Sequence, residues 1–292
     1  MILPDRHWAE AGEDWREAEE LGFDSAWTYD HMSWRPLEDH PWFSPYPVLT
    51  AAACSTQRIK LGTLVTSPNF RHPVTTVKDA ISVDDISKGR FVLGVGAGST
   101  TAGDDRVIDP TPLSPRNRAE RFAEFVELTG LMLRQTPVTY EGRFFSAFES
   151  RNVASAARRR PLPIAVAATG PRGLELAARH GSAWVTFGAP VHSKKCTPRE
   201  TLDMVSGQLA GLHRACERIG RDPAELDKIF VVTDFPQQSR SPSAFVDYAR
   251  SYAAIGITDL VIHRPRPTGI YQADPQMLHL IAEKALSEIH DM

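Results

Sequence analysis

The stretch Ala253-Ala254-Ile255-Gly256-Ile257-Thr258-Asp259-Leu260-Val261-Ile262-His263 decides the fold. A helical pattern that begins near Ser243 ends at Ile255, and Gly256 follows, where a left-handed cap favours a residue without Cβ. The run Leu260-Val261-Ile262 then shows no polar alternation, which is how a parallel strand buried on both faces reads. Phe230-Val231-Val232 has the same character, and Gly181 and Gly220 sit just past two further helical patterns. Helix, glycine, apolar strand is therefore a repeating phrase, the mark of βα units in series.

Read outward from there, the chain holds eight such pairs. Strands are expected at 1–4, 23–29, 59–66, 91–95, 163–168, 183–187, 229–233 and 259–263. The first helix shows Trp8, Trp15, Ala18 and Leu21 at helical spacing, and later ones are expected at about 47–54, from Pro73, and at 114–133, 171–179, 199–219, 243–255 and 275–289. A segment at 140–156, after the fourth helix, reads as a small hairpin insertion. Eight units without a linker predict one α/β domain over residues 1–292, a closed (β/α)8 TIM barrel, in preference to an open doubly wound sheet.

Composition excludes several classes. A net charge of −3 offers no long-range attraction for nucleic acid or anionic membrane. The run Arg158-Arg159-Arg160 is short, next to Pro161, and reads as a solvated loop. Three cysteines, Cys54, Cys196 and Cys216, form no C-x-x-C pair, so neither a disulfide framework nor a zinc site is expected. With no secretory n-region and no apolar span, a soluble, cytoplasmic protein without a metal is the expectation.

Barrels place their chemistry at the C-terminal ends of the strands. After the second strand come Asp30 and His31, a carboxylate beside an imidazole, with Trp34, Trp42 and Phe43 near enough to wall a pocket or simply to pack the loop. Adjacent strand residues point to opposite sides, so both reach the mouth only if the chain bends. After the fourth strand Gly94-Val95-Gly96-Ala97-Gly98 lacks the G-x-G-x-x-G spacing, and reads as a mouth cleared of side chains for a flat ring, or as a turn. After the fifth, Thr169-Gly170-Pro171-Arg172-Gly173 opens a helix, where free N–H groups, a hydroxyl and a guanidinium suit an anion; an ordinary tight turn is the alternative. Acids near strand ends (Asp30, Asp104, Asp105, Asp234) leave a paired-carboxylate hydrolase open.

Several segments together resemble the bacterial luciferase-like family of flavin- and deazaflavin-dependent oxidoreductases. They are Ala18-Glu19-Glu20-Leu21-Gly22-Phe23-Asp24-Ser25-Ala26-Trp27 into Asp30-His31, Ile59-Lys60-Leu61-Gly62-Thr63 and Arg71-His72-Pro73. Asp85-Ile86-Ser87-Lys88-Gly89-Arg90 into the glycine run, and Ala167-Ala168-Thr169-Gly170-Pro171, complete the set. The resemblance implies an isoalloxazine-type ring across the barrel mouth, backed by a bulge with a non-proline cis peptide at Leu64-Val65, with Thr66 following. It also implies a cofactor phosphate on Thr169, Gly170, Pro171, Arg172 and Gly173, and Gly96 and Gly98 lining the mouth. The Asp30-His31 pair, expected to be catalytic, resembles the branch that uses coenzyme F-420 for hydride transfer to or from a small organic substrate. The alternatives are an FMN-dependent monooxygenase supplied by a separate flavin reductase, and a non-catalytic flavin-binding protein. Some F-420 sugar-phosphate dehydrogenases of the family carry an acid where this chain has Ser99, which argues against that substrate class. Family members also have several apolar residues before the Leu-Pro, so the first strand is short here. Pairing through surface helices makes a homodimer the expectation, and a separate flavin or F-420 reductase is the other partner the resemblance implies.

Overall fold

The structure is a computed structural model and describes residues 1–98, 107–111, 113–153, 161–188, 196–233 and 241–292. Two compact units emerge: one holds residues 2–17 and 24–167, the other Met1, 18–23 and 168–292.

In the first unit, helix α1 (Trp8–Glu20, its last residues counted with the other unit) precedes β1 (Ser25–Thr28), α2 (Pro45–Ser55), β2 (Lys60–Thr63), α3 (Pro73–Ile86), β3 (Phe91–Val95) and α4 (Pro115–Met132). The expected insertion is an antiparallel hairpin of β4 (Val138–Glu141) and β5 (Ser146–Ser150), and β6 (Ile164–Ala167) ends the unit. Strands β1, β2, β3 and β6 run parallel in that order. Leu61, Phe91, Leu93, Val95, Ala165 and Val166 are buried to the last few per cent because helices cover the sheet as well as strands lining it. Each such large side chain contributes roughly 1.5–3 kcal/mol.

The second unit orders β7 (Ala183–Thr186), β8 (Asp227–Val231) and β9 (Asp259–Val261), again parallel, with α5 (Pro171–His180), α6 (Pro198–Glu217), α7 (Pro242–Ala253), α8 (Gln276–Lys284) and α9 (Leu286–His290). Trp184, Phe230 and Tyr252 form its buried centre, the last two stacked at 4.5 Å. Proline opens α2, α3, α4, α5, α6 and α7, where its missing N–H costs nothing. Ser114, Thr197 and Ser241 cap three of these starts.

Two expectations need correction. The described residues contain seven parallel strands, not eight. Residues 1–4 form no strand: the Met1 amino group donates to Ile262 O at 2.6 Å and Ile2 N to Trp27 O at 2.8 Å, and Pro4 has no N–H with which to extend a ladder. Gly181 is not a left-handed cap either, unlike Gly220 (φ 69°) and Gly256 (φ 99°). Its φ is −77°, and a Cβ there would lie 2.8 Å from Ala177 O, so close packing requires the glycine. No helix among the described residues is long and apolar enough to cross a membrane.

Candidate active site

Just past the end of β1, Asp30 and His31 meet different neighbours. Asp30 turns into the first unit and is 1% exposed. Its carboxylate is gripped at both oxygens by Arg71, which donates from Nη2 to Oδ1 (2.8 Å) and from Nε to Oδ2 (3.1 Å). The Thr66 hydroxyl donates to Oδ2 as well (2.9 Å) and lies 3.0 Å from the Tyr46 hydroxyl. Because Thr66 spends its one proton on Asp30, Tyr46 is the donor of that last bond. The Arg71 guanidinium also sits over the Tyr46 ring, 5.2 Å from its centre. Burial, then the charge of Asp30, push the Tyr46 phenol well above its ordinary range, so it keeps its proton. For Arg71 burial opposes the charge, but the hydrogen bond and charge of Asp30 outweigh it and the net shift is upward.

His31 packs beside Tyr29. Its ring packs edge-on against Tyr29 (5.6 Å) and Trp42 (6.2 Å) and stacks with Trp34 (6.5 Å, 17°). Trp34 and Trp42 touch each other at 5.8 Å, closing an aromatic cluster around a half-buried imidazole. The Trp42 Nε1–H is buried and has no acceptor among the described residues, a costly state for a donor unless something outside the unit's own side chains takes it.

Beyond β2 the chain leaves its regular ladder. Leu64 N still donates to Thr28 O (2.8 Å), the Leu64–Val65 peptide is cis, and Thr66 rejoins β3 by donating to Gly94 O (2.8 Å) while accepting from Gly96 N (2.9 Å). Leu64 and Thr66 are fully buried, and only Val65 between them is partly exposed. The glycines of β3 and its loop make this approach possible. A Cβ on Gly94 would lie 1.9 Å from Thr63 O, one on Gly96 2.4 Å from Val65 Cγ2, and one on Gly98 2.4 Å from Ser67 Oγ. The space at Gly94 and Gly96 is thus filled by the bulge itself, and Gly98 (φ 72°) ends the run with its carbonyl accepting from Arg118 Nη1 (2.9 Å).

In the second unit the loop after β6 enters α5 as expected. Trp184 Nε1 donates to Ala168 O (2.8 Å), anchoring the turn, and Gly170 takes the N-cap position with no side chain capping the first turn. That turn carries no acid, a Cβ on Gly170 would meet nothing within 4 Å, and Thr169, Gly170, Pro171 and Arg172 are exposed. Uncapped N–H groups, a hydroxyl and a guanidinium therefore face outward together, a donor set for an anion. The same unit buries His263, whose Nδ1 lies 3.1 Å from Val232 O and whose ring stacks on Tyr271 at 3.6 Å. Burial first, and second the Met1 amino group when protonated, bring His263 down to about 3 against the pull of that carbonyl; burial lowers the Met1 amino group itself to about 5.

Of the expected residues, the first unit brings together Asp30 and Thr66 directly and places Leu64, Val65, Gly96 and Gly98 along one bulge. His31 packs in the aromatic cluster of Tyr29, Trp34 and Trp42. Tyr46 was missed, and Arg71 was noticed only as part of Arg-His-Pro; an arginine just ahead of a helix, opposite an acid at a strand end, was the available signal. Asp30 pairs with Arg71, and a second carboxylate, Asp79, stands near enough to feel both: burial raises its carboxyl, the Arg71 charge opposes that, and the Asp30 charge adds to it. Ser99, Asp104, Asp105, Asp234 and the Arg158-Arg159-Arg160 run lie outside the described residues.

Comparison with known proteins gives a consistent answer. A family profile described as luciferase-like monooxygenase matches residues 2–268. An F-420-dependent hydroxymycolic acid dehydrogenase of Mycobacterium tuberculosis is 30% identical over 213 residues, 72% of this chain and 54% of that protein. A 4-hydroxyprotoasukamycin monooxygenase of Streptomyces nodosus subsp. asukaensis is 32% identical over 185 residues, 60% of this chain and 48% of that protein. The matches thus span about half the length of these two relatives. In fold, the coenzyme F-420-dependent tetrahydromethanopterin reductase of Methanopyrus kandleri superimposes with a TM-score of 0.77 at 20% identity, over 99% of this chain and 97% of that one.

Proposed function

We propose a function from one premise: the chain belongs to the family of luciferase-like monooxygenases. Within it, the protein is an oxidoreductase that moves a hydride between coenzyme F-420 and a small organic substrate. The observation that carries this is the placement of His31, an imidazole held in an aromatic cluster directly after β1, backed by an anchored Asp30. The relatives named for F-420 dependence, and the fold shared with one of them over almost the whole chain, support the same reading. That fold likeness also supports a single luciferase-like α/β domain over 1–292.

The residues present fit such a cofactor unit by unit. The start of α5 offers an uncapped, acid-free helix end open above Gly170, which suits a phosphate. Val65 is the one partly exposed residue of a bulge otherwise sealed by glycine contacts, which suits the back of a flat ring. A deazaflavin supplies hydride transfer and, lacking the reactive ring nitrogen of FMN, activates oxygen poorly. The chain's own tasks follow. Thr169, Arg172 and the first N–H groups of α5 bind the phosphate. Leu64, Val65 and Thr66 set a firm backing, with Gly96 and Gly98 allowing it. His31 gives or takes a proton at the substrate's oxygen, and Tyr29, Trp34 and Trp42 exclude water around it. A homodimer and a cytoplasmic location complete the proposal.

One finding favours a second reading, an FMN-dependent monooxygenase served by a separate reductase: a monooxygenase stands among the relatives. Titration of the purified chain with F-420 and with FMN, followed by absorbance and fluorescence, separates the two. Saturable F-420 binding without FMN binding supports the first. A chain that binds FMN, ignores F-420 and consumes oxygen with a flavin reductase sinks it.

A further inference from the structure

Asp30 and His31 are neighbours in sequence, yet only His31 stands in a half-exposed environment. The Asp30 carboxylate already accepts three hydrogen bonds, two from Arg71 and one from Thr66, and its side chain is fully buried. A carboxylate so engaged has little capacity left for a substrate proton. What it does have is reach. Through its side chain, the residue preceding His31 is tied to Thr66, the residue following Leu64–Val65, and through Arg71 to the loop that leads into α3. Tyr46 adds the start of α2 by donating to Thr66.

We infer that Asp30, Thr66, Tyr46 and Arg71 form a positioning network that fixes His31 relative to the Leu64–Val65 bulge, with Asp30 exchanging no proton in the reaction. The inference rests on the functional reading above for what is positioned, and on the geometry alone for the network. Arg71 is the member whose shape matters most. Its planar fork holds both carboxylate oxygens at once, whereas a lysine would supply the same charge through a single point and let the carboxylate rotate. Thr66 matters for direction: a carboxylate can only accept, so its one proton goes to Asp30 and its oxygen is left to accept from Tyr46.

The test uses the full chain and three variants. Arg71→Lys keeps the charge and loses the fork; Thr66→Val keeps the shape and loses the hydroxyl. Glu124→Gln is the control, weakening the β4–β5 hairpin of the same unit without touching the network. F-420 affinity is read by fluorescence titration, and the His31 imidazole by the pH titration of its carbon-bound proton signal, assigned with His31→Gln. Arg71→Lys is expected to weaken F-420 binding at least tenfold (about 1.4 kcal/mol) and to move the His31 titration. Thr66→Val should do both to a smaller extent, and Glu124→Gln should leave affinity within twofold and the His31 signal in place. The inference is overturned if Arg71→Lys and Thr66→Val match the unaltered chain in both readouts, or if Glu124→Gln changes them as much. If the unaltered chain binds no F-420, the functional reading fails instead, and the His31 titration alone decides the network.

Discussion

Removing either member of the Asp30–Arg71 pair should destabilise the protein, but unequally. The Asp30 side chain is 0% exposed and that of Arg71 18% exposed. In Arg71→Leu the carboxylate stays buried with only the Thr66 hydroxyl to solvate it, the situation that typically costs about 3–5 kcal/mol. In Asp30→Leu the guanidinium keeps the Tyr46 ring beneath it and can turn toward water, so about 2 kcal/mol is expected. With 292 residues, and about 2.1 cal/mol/K of unfolding entropy per residue, a loss of 4 kcal/mol lowers the melting temperature by about 7 °C. The double variant should lose less than the sum of the single losses, since each charge is then absent when its partner is. Thermal and denaturant melts of the four chains give every quantity. Equal single losses, or single losses that simply add in the double variant, would refute the account of Asp30 as a buried, compensated charge.

Three further outcomes follow from other parts of the molecule. Glu124 accepts backbone N–H bonds from Arg143 (3.1 Å), Phe144 (3.0 Å) and Phe145 (2.7 Å); Glu124→Gln offers one acceptor oxygen and should cost about 2 kcal/mol, with faster amide exchange confined to the hairpin. Gly96→Ala drives a methyl toward Val65 Cγ2, 2.4 Å from the ideal Cβ, so it should weaken F-420 binding at least fivefold at a stability cost of roughly 1–3 kcal/mol; unchanged affinity would separate Val65 from the cofactor. His263 titrates at about 3 folded against 6.5 ordinarily. Between those values the unfolded chain binds a proton that the folded chain does not, so stability falls with falling pH by up to about 1.4 kcal/mol per unit, and His263→Gln should flatten the acid side of the stability profile.

The parts of the fold that were legible rest on local signals. Proline marked the first turn of α3 and α5 from sequence, and the apolar runs at 229–233 and 259–263 marked β8 and β9, because both cues act within a few residues. Met1–Pro4 was misjudged for the opposite reason, since a strand is defined by ladder partners elsewhere in the chain. Gly181 shows the limit of residue-type rules: position after a helix suggested a left-handed cap, but the crowding of Ala177 O and Ala183 O that demands glycine is tertiary. The cis Leu64–Val65 peptide came from resemblance, not from any property of leucine or valine. Tyr46 and Arg71 join Asp30 across 16 and 41 positions of sequence, a separation over which no periodicity speaks.

The contacts of Asp30 and His31 bear on how the pair could share one site. Tyr29 and His31 belong to the aromatic cluster, while Asp30 goes to Arg71 and Thr66. On the positioning proposal the two residues divide the labour. A charge buried and gripped at three points is a rigid anchor precisely because it is costly to disturb, and a rigid anchor one residue away limits where the His31 backbone can stand. The aromatic cluster then limits how its ring turns.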